Sequence, residues 1–305
     1  MSNAIEIRGL GHRYNGRAIY ENLNFSVPEG AVCGLLGKNG QGKTTLVNIL
    51  MGFLKPFKGK CLVLGEDSHN LPPEVRARIG LLHEGHLAYE FMTIAQTERF
   101  YRGFYPRWNP EVFFGLVDRM GLPLNHKVAN MSCGQRSQVV LGVIMAQDPD
   151  LLILDDYSMG LDAGYRRLFL DVLHDFAARK GKTVFVTSHI VQDLEQLVDT
   201  IIFIDQGEIM QVGLEEFLSA FRKYVFNCDD PPEQTQALAQ NLAQGLAQDH
   251  IIRGIERRGR KVALYSYADI QAVERHLADL GVQARDLSQA PMSLEDGFIG
   301  LMGNY

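Results

Sequence analysis

The chain lacks the cysteine pairs, long apolar runs and leader pattern that mark secreted and membrane proteins. Its four cysteines (Cys33, Cys61, Cys133 and Cys228) are scattered through 305 residues without a CxxC pair. This spacing favours a reducing cytosol over a disulfide framework or a zinc site. No apolar run approaches the roughly 18 residues that a membrane helix needs, and the first residues lack a charged-then-apolar signal pattern. We therefore expect a cytoplasmic chain without a membrane span.

An excess of positive charge is also missing, since the formal net charge is −6. A general nucleic-acid binder needs a basic surface that releases counterions, so we expect no nucleic-acid partner. One short stretch, 257–261, is strongly basic around Gly259. An exposed hairpin tip accounts for it, and contact with anionic lipid or an acidic partner is the alternative.

Short apolar runs alternate with segments of helical spacing over most of the chain. The runs 151–154, 183–187 and 200–204 read as buried strands, with helical spacing at 164–179 and 190–198 between them. This alternation predicts an α/β core with a mainly parallel sheet. Two alternating segments, 5–7 and 23–27, predict antiparallel N-terminal strands. The stretch 84–147 is predicted to be a helical subdomain.

The last 85 or so residues follow a pattern of their own. We expect a cassette domain at 1–220 and an accessory α+β domain at 221–305. The predicted order β-α-β-β-α-β is that of a split-βαβ, ferredoxin-like unit. Its predicted strands are 224–227, 251–256, 262–267 and 282–287, and its predicted helices are 233–248 and 268–279.

The strongest chemical signal is the segment 37–44, which reads GKNGQGKT between a strand and a helix. It fits GxxxxGK[ST], in which glycines let backbone N–H groups turn toward phosphate oxygens at a helix N-terminus. Lys43 is predicted to reach the β- and γ-phosphates of ATP, and Thr44 to bind Mg²⁺. The predicted phosphate-binding residues are Gly37, Asn39, Gly40, Gly42, Lys43, Thr44 and Thr45.

The second signal is the apolar run 151–154, which ends in Asp155 and Asp156. A buried strand that delivers carboxylates at its C-terminal end is the Walker B arrangement of phosphate-loop ATPases. Asp155 is predicted to hold Mg²⁺ through water, and Asp156 to face the attacking water. Taken alone, two aspartates could form a solvated turn, but their position after a phosphate loop favours the metal site.

Further motifs narrow the class. The segment 131–135, MSCGQ, about twenty residues before Asp155, resembles the LSGGQ signature of ABC ATPases. The segment 158–162, SMGLD, resembles their D-loop, and 187–189, TSH, resembles the strand end that carries their switch histidine. Glu84 stands at the Q-loop position, and Tyr14 stands where an aromatic ring stacks on adenine. Six motifs in the family's order identify the chain as a member of the ABC transporter ATP-binding subunits.

This resemblance implies a phosphate-loop ABC ATPase cassette whose two copies pack head to tail around two ATP molecules. It further implies separate transmembrane permease subunits and a location on the cytoplasmic face of the inner membrane. The segment 293–298 resembles the ending of exporter ATPases whose membrane subunit is a separate chain. The resemblance assigns catalysis to Asp156, His189 and Glu84, nucleotide contacts to Tyr14, Ser132, Gly134, Gln135 and Asp162, and Mg²⁺ binding to Thr44, Glu84 and Asp155.

Several positions depart from the family pattern. Asp156 replaces a glutamate, Glu84 a glutamine, Cys133 a glycine and Tyr157 a proline. The shorter Asp156 retracts its carboxylate, and a misplacement of about 1 Å can lower a rate by roughly 10²-fold. We therefore predict slow ATP hydrolysis and long-lived ATP-bound dimers.

Two other functions remain open beside the exporter subunit. One is a regulatory module that senses ATP and hardly hydrolyses it, which the short Asp156 favours. The other is a soluble ABC protein that acts on ribosomes or DNA. The single phosphate loop argues against the ribosomal type, and the short distance between Lys43 and Ser132 leaves no room for the coiled coils of DNA-repair members.

Overall fold

The computed structural model describes residues 2–14, 16–83, 85, 88–158, 160–188, 190–228 and 251–303. A six-stranded sheet lies at its centre, in the order β10-β9-β3-β8-β7-β6. All its pairings are parallel except that of β9 with β10, which confirms the predicted mainly parallel core. Its strands are β3 (Val32–Leu36), β6 (Ile79–Leu82), β7 (Leu151–Leu154), β8 (Thr183–Thr187), β9 (Thr200–Asp205) and β10 (Glu208–Gly213).

A second sheet of four antiparallel strands has the order β2-β1-β4-β5. Its strands are β1 (Asn3–Tyr14), β2 (Arg17–Pro28), β4 (Lys58–Val63) and β5 (Glu66–Asp67). The first two are twelve residues each, longer than the predicted segments 5–7 and 23–27. Irregularities in the β1–β2 register interrupt the simple alternation of apolar residues, so the sequence shows only part of each strand.

Helices pack around the sheets, and three of those described lie within the predicted helical subdomain 84–147. They are α1 (Lys43–Leu50), α2 (Pro73–Arg76), α3 (Ile94–Arg102), α4 (Pro110–Val117), α5 (Cys133–Ala146), α6 (Ala163–Ala177), α7 (Val191–Glu195) and α8 (Leu214–Ala220). The side chain of Asn109 caps α4 by accepting hydrogen bonds from the N–H groups of Glu111 and Val112. Pro110 at the first helical position fits the start signal in the sequence.

The C-terminal segment forms a third, antiparallel sheet in the order β12-β13-β11-β14. Its elements are β11 (Arg222–Asn227), β12 (Gly254–Arg258), β13 (Lys261–Ser266), α9 (Ile270–Asp279), β14 (Arg285–Ala290) and α10 (Leu294–Met302). The predicted helix 233–248 lies outside the described residues. The ferredoxin-like arrangement and the domain boundary at 220 therefore stay predictions.

Two strand predictions in this segment were wrong by about three residues. The apolar start of 251–256 precedes β12, because Ile252 is buried beside the sheet rather than within the strand. The predicted strand 282–287 begins with Val282, which is buried against α9, while β14 follows it and is largely exposed. Its polar composition hides it from pattern analysis, and α10 was not predicted at all.

One buried cluster crosses from the cassette into the C-terminal segment. Phe217 in α8 and Phe221 just after it share this cluster with Tyr265, Leu294 and Phe298, and the cluster continues to the central sheet. The described parts of the chain contain no helix that is both long and apolar enough to cross a membrane.

A candidate ATP site

The phosphate loop connects β3 to α1 and has little space for side chains at two of its glycines. A Cβ on Gly37 would lie 2.6 Å from Cγ2 and 2.7 Å from the backbone oxygen of Ile204. Gly42 has a φ of 93°, and a Cβ there would collide with Tyr20 and Ile19. The hydroxyl of Tyr20 donates a hydrogen bond to the Gly42 carbonyl. The loop therefore depends on glycine for both its conformation and its packing.

Lys43 points back into this loop. Its Nζ donates hydrogen bonds to the carbonyl oxygens of Gly37 at 2.7 Å and of Lys38 at 3.1 Å, and the residue is only 8% exposed. Burial lowers the pKa of the Lys43 ammonium, while the carboxylates of Asp156 and Asp155 act in the opposite direction. A cation held among carbonyl groups at a helix start is placed to bind phosphate oxygens.

Asp155 and Asp156 follow β7 and are held by Thr187 at the end of the neighbouring strand β8. The Thr187 hydroxyl donates to Asp155 Oδ1 at 3.0 Å and accepts from the Asp156 N–H at 3.0 Å. The Asp155 N–H also donates to the Leu82 carbonyl at 2.9 Å. Asp156 has a φ of 47°, and Ser158 Oγ donates to its Oδ1 at 3.3 Å. In the sequence Thr187 stands out only as part of the TSH motif, which does not indicate this bridging role.

The two predicted motifs meet in one cavity of about 410 Å³. The cavity is lined by Ile19, Asn39, Gly40, Gly42, Lys43, Thr44, Thr45, Asp155, Asp156, Thr187 and Ser188. A second cavity of about 450 Å³ adjoins it and shares Ile19, Asn39 and Gly40. Together they form a cleft with phosphate-binding groups at one end and space beside the loop at the other.

The carboxylates in this cavity fit a magnesium ion. Asp155 Oδ2 is buried and has no hydrogen-bond partner among the described residues, whereas Oδ1 is held by Thr187. Thr44 lines the same cavity. The described residues hold no group of three or more His, Cys, Asp or Glu side chains suited to a metal. Mg²⁺ suits such a site because it is bound by one or two protein oxygens with waters and substrate phosphates completing its shell.

The signature segment lies outside this cavity. Ser132 is exposed and caps α5, accepting from the Gln135 N–H at 3.3 Å while Gln135 Oε1 accepts from the Ser132 N–H at 3.0 Å. Gly134 is buried, and a Cβ there would overlap the ring of Tyr165 on α6. Within the described residues of one copy, none of these three lines the cavity that contains Lys43.

The other predicted residues take different places. Asp162 caps α6 by accepting from the Tyr165 N–H at 3.0 Å. Tyr14 ends β1 with its ring edge-on to His12 at 4.8 Å, is 44% exposed, and is absent from the described linings of both cavities. Its stacking on adenine stays a prediction. Glu84 and His189 lie outside the described residues, so their roles also stay predictions.

Comparison with known proteins gives one consistent family. The family model described as ABC transporter matches residues 20–158. The ABC transporter ATP-binding protein NatA of Bacillus subtilis (strain 168) is 30% identical over 203 residues, which cover 65% of this chain and 82% of NatA. The Nod factor export ATP-binding protein I of Rhizobium leguminosarum bv. viciae is 29% identical over 311 residues, covering 98% of this chain and 95% of that protein.

Solved structures share the fold. A dimeric structure of a post-hydrolysis state of the ATP-binding cassette MJ0796, bound to ADP and Pi, superposes with a TM-score of 0.61. It is 20% identical and covers 69% of this chain and 98% of that chain. With a phosphate loop and two carboxylates in one cavity, and a relative that matches over most of its length, the chain belongs to the family of ABC transporter ATP-binding proteins.

Proposed function

We propose that the chain is the ATP-hydrolysing subunit of an ABC transporter, of the exporter type, acting on the cytoplasmic face of the membrane. The observation that carries this proposal is the single cavity that holds Lys43, Thr44, Asp155 and Asp156. The export direction is supported by the relative that is named a Nod factor export protein and matches nearly the whole chain.

Positioning and electrostatics supply the catalysis in this proposal. Lys43 and the N–H groups of the loop bind the β- and γ-phosphates of ATP. Thr44 and Asp155 would hold Mg²⁺, which neutralises charge on the phosphate oxygens. Asp156 faces the attacking water and orients it, and Thr187 fixes both aspartates from β8. The catalytic roles of Glu84 and His189 belong to the same proposal.

Two copies complete each site. The N-terminus of α5 is exposed at Ser132 and does not line its own copy's described cavity. A helix N-terminus carries partial positive charge and unpaired N–H groups, so it suits the γ-phosphate of an ATP bound to another copy. We therefore propose a head-to-tail homodimer in which ATP binding joins the copies and hydrolysis releases them. The fold is shared with a cassette that was solved as a dimer.

A group of exposed aromatic rings in the helical region supports a protein partner. This aromatic patch consists of Phe91, Tyr89, Phe100 and Phe104, and each ring in this order lies 5.1 to 5.8 Å from the next, measured between centroids. Contiguous exposed apolar surface is typical of an interaction site. We assign it to the separate permease subunit, because relatives are named transporter ATP-binding proteins.

Substitution of two rings of the aromatic patch tests this assignment. The double variant Phe91→Ser, Phe104→Ser should no longer co-purify with the permease, while the purified chain still binds ATP. Retained co-purification contradicts the assignment.

Equilibrium binding of MgATP tests the nucleotide site directly. Lys43→Ala should weaken binding by about tenfold or more, because hydrogen bonds to charged groups contribute roughly 1.5–3 kcal/mol each. Lys60→Ala, an exposed lysine away from the cavity, is the control and should bind like the wild type. Equal affinity of Lys43→Ala and wild type would contradict the assignment.

One observation favours a second candidate, a nucleotide-sensing regulatory module. The cavity carboxylate that is proposed to face the attacking water belongs to Asp156 rather than to a glutamate, which shortens its reach. Turnover of the purified dimer with and without its permease separates the two functions. An exporter subunit hydrolyses ATP faster in the complex, whereas a sensor remains nearly inactive in both.

A further inference from the structure

Tyr157, the residue after Asp156, is completely buried and makes a specific hydrogen bond. Its ring stacks on Phe169 of α6 with centroids 5.1 Å apart. Its hydroxyl donates to Asp193 Oδ2 at 3.0 Å. Burial, reinforced by the Asp193 carboxylate, raises the pKa of Tyr157, so the hydroxyl remains a protonated donor. The residue therefore anchors the chain immediately after the proposed hydrolytic carboxylate.

Asp193 belongs to α7, the short helix that follows β8. Its carboxylate is buried and also faces Arg166 of α6, with Nε 3.5 Å from Oδ2. The strand before α7 ends in Thr187, which bonds both aspartates of the site. Ser188 Oγ lies 3.4 Å from Ser158 Oγ. α7 is thus connected to the Asp156 segment through β8 and through Tyr157.

The same helix contacts the C-terminal helix α10. Glu195 Oε2 accepts a hydrogen bond from the Leu294 N–H at 2.7 Å, and Gln192 Nε2 donates to Glu295 Oε2 at 2.5 Å. Val191 and Leu194 share a buried cluster with Leu294 and Phe298. Two polar bonds and an apolar contact therefore join α10 to α7.

Asp156 needs this support because of its backbone conformation. A φ of 47° lies in the left-handed region, which non-glycine residues seldom adopt unless their surroundings impose it. We propose that Tyr157 and Asp193 are positioning residues for Asp156, and that α10 acts on ATP hydrolysis through α7. The proposal rests on the proposed function, because it concerns the rate at that same site. It assigns the C-terminal segment a regulatory contact within the chain.

Removal of one hydroxyl tests the first half. Tyr157→Phe should lower kcat about tenfold, the loss expected for a buried hydrogen bond to a charged group, while the Kd of MgATP stays within twofold. The matched control is Tyr224→Phe, which removes the buried hydroxyl that bonds the Ala268 carbonyl far from the site. It should leave kcat unchanged. Unchanged kcat in Tyr157→Phe, or an equal loss of kcat and affinity, would overturn the positioning role.

Asp193 provides a second, independent variant. Asp193→Ala should reduce kcat as Tyr157→Phe does. Because the two substitutions remove the same hydrogen bond, the double variant should be no slower than the slower single variant. Asp193→Asn keeps an acceptor for the Tyr157 hydroxyl and should recover most of the activity. Independent, additive losses would contradict a shared interaction.

Two side chains that accept hydrogen bonds from the N-terminus of α10 allow a test of its link to α7. Glu195→Ala removes the acceptor that α7 offers to the Leu294 N–H, whereas Ser293→Ala removes the cap that α10 makes within itself. Both should lower the melting temperature, but only Glu195→Ala should lower kcat, by several-fold. Equal kcat in the two variants would show that α10 does not act through α7.

A measurement without nucleotide separates this proposal from the proposed function. Amide hydrogen exchange should be faster at 155–158 and Val191–Glu195 in Tyr157→Phe than in the wild type. If wild type neither binds nor hydrolyses MgATP, the proposed function fails, and the exchange result still decides whether Tyr157 holds these segments. If the wild type hydrolyses MgATP and Tyr157→Phe changes neither hydrogen exchange nor kcat, only the positioning role is contradicted.

Discussion

At the scale of single residues, Asp156 combines a short side chain with a left-handed backbone. Aspartate tolerates positive φ better than glutamate, because its short polar side chain bonds locally. Here the carboxylate accepts from Ser158. Aspartate therefore shortens the reach of the carboxylate but also suits the observed φ of 47°.

Substitutions of Asp156 separate the effect of side-chain length from that of the backbone preference. Asp156→Glu should raise kcat, by up to about 10²-fold if the retracted carboxylate limits the rate. It should also lower stability by about 1 kcal/mol because of the positive φ. Asp156→Asn keeps the size and the backbone preference, and it should abolish turnover while ATP remains bound. Steady-state ATPase rates and thermal unfolding check both; equal rates for Asp156→Glu and wild type contradict the retraction argument.

The buried ammonium of Lys43 gives a pH dependence. Its pKa lies below the usual value near 10.5, chiefly because of burial. In the proposed site the charged form of Lys43 binds phosphate, so the affinity for ATP should fall as pH rises through this lowered pKa. The lowered pKa also predicts that, without ATP, the free energy of unfolding rises as pH rises toward 10.5. The folded protein loses the proton of this buried ammonium at a lower pH than the unfolded chain does. Binding titrations from pH 7 to 10.5, with circular dichroism to monitor folding, check this; affinity that stays constant over that range contradicts it.

The phosphate loop and the aspartates were predictable because each motif encodes its own geometry. Glycines, a lysine and a helix start specify a phosphate loop within eight residues, and the structure places the lysine and two of the glycines in the cavity with Asp155 and Asp156. Thr187 and Tyr157 were not predictable as positioning residues. Their hydrogen-bond partners are 31 to 36 residues away in the chain, and only the packing of β7, β8 and α7 brings them together.

At the scale of elements, α5 and α6 are in close contact because Gly134 has no side chain. A Cβ at this position would overlap the Tyr165 ring. Gly134→Ala should therefore destabilise the protein by about 1–3 kcal/mol, the usual cost of overpacking. Gly115→Ala in α4 is the control, because nothing lies within 4 Å of its added Cβ. It should stabilise by up to about 1 kcal/mol through helix propensity. Thermal unfolding that ranks the two variants the other way would contradict this account of the packing.

Elements with strong periodicity were predicted well, and exposed ones were not. The buried strands β7 and β8 have the predicted bounds because apolar runs in a parallel sheet leave no ambiguity. In contrast, β14 consists of RDLSQA and pairs only with β11 within the described sheet, so backbone hydrogen bonds rather than apolar burial define it. The capping box of Ser293 and Asp296 was a usable signal for α10.

At the scale of the whole molecule, the proposed dimer needs two copies to complete one ATP site. The cavity supplies the cation and the carboxylates, and the exposed α5 N-terminus supplies N–H groups that its own copy's described cavity does not use. The contact between α10 and α7 places the C-terminal segment next to the same machinery. ATP binding, dimer formation and the C-terminal segment should thus be coupled through Asp156 and its supports.

Cross-linking across copies tests this claim most directly. Cys133 is exposed beside Ser132, and the other three cysteines are buried. In Asp156→Asn protein with Asn39→Cys in the exposed phosphate loop, MgATP should bring the introduced thiol near Cys133 of the other copy. Mild oxidation should then give a covalent dimer that depends on ATP and disappears with Cys133→Ser. Failure of MgATP to produce this dimer, with binding intact, would contradict a nucleotide held between two copies.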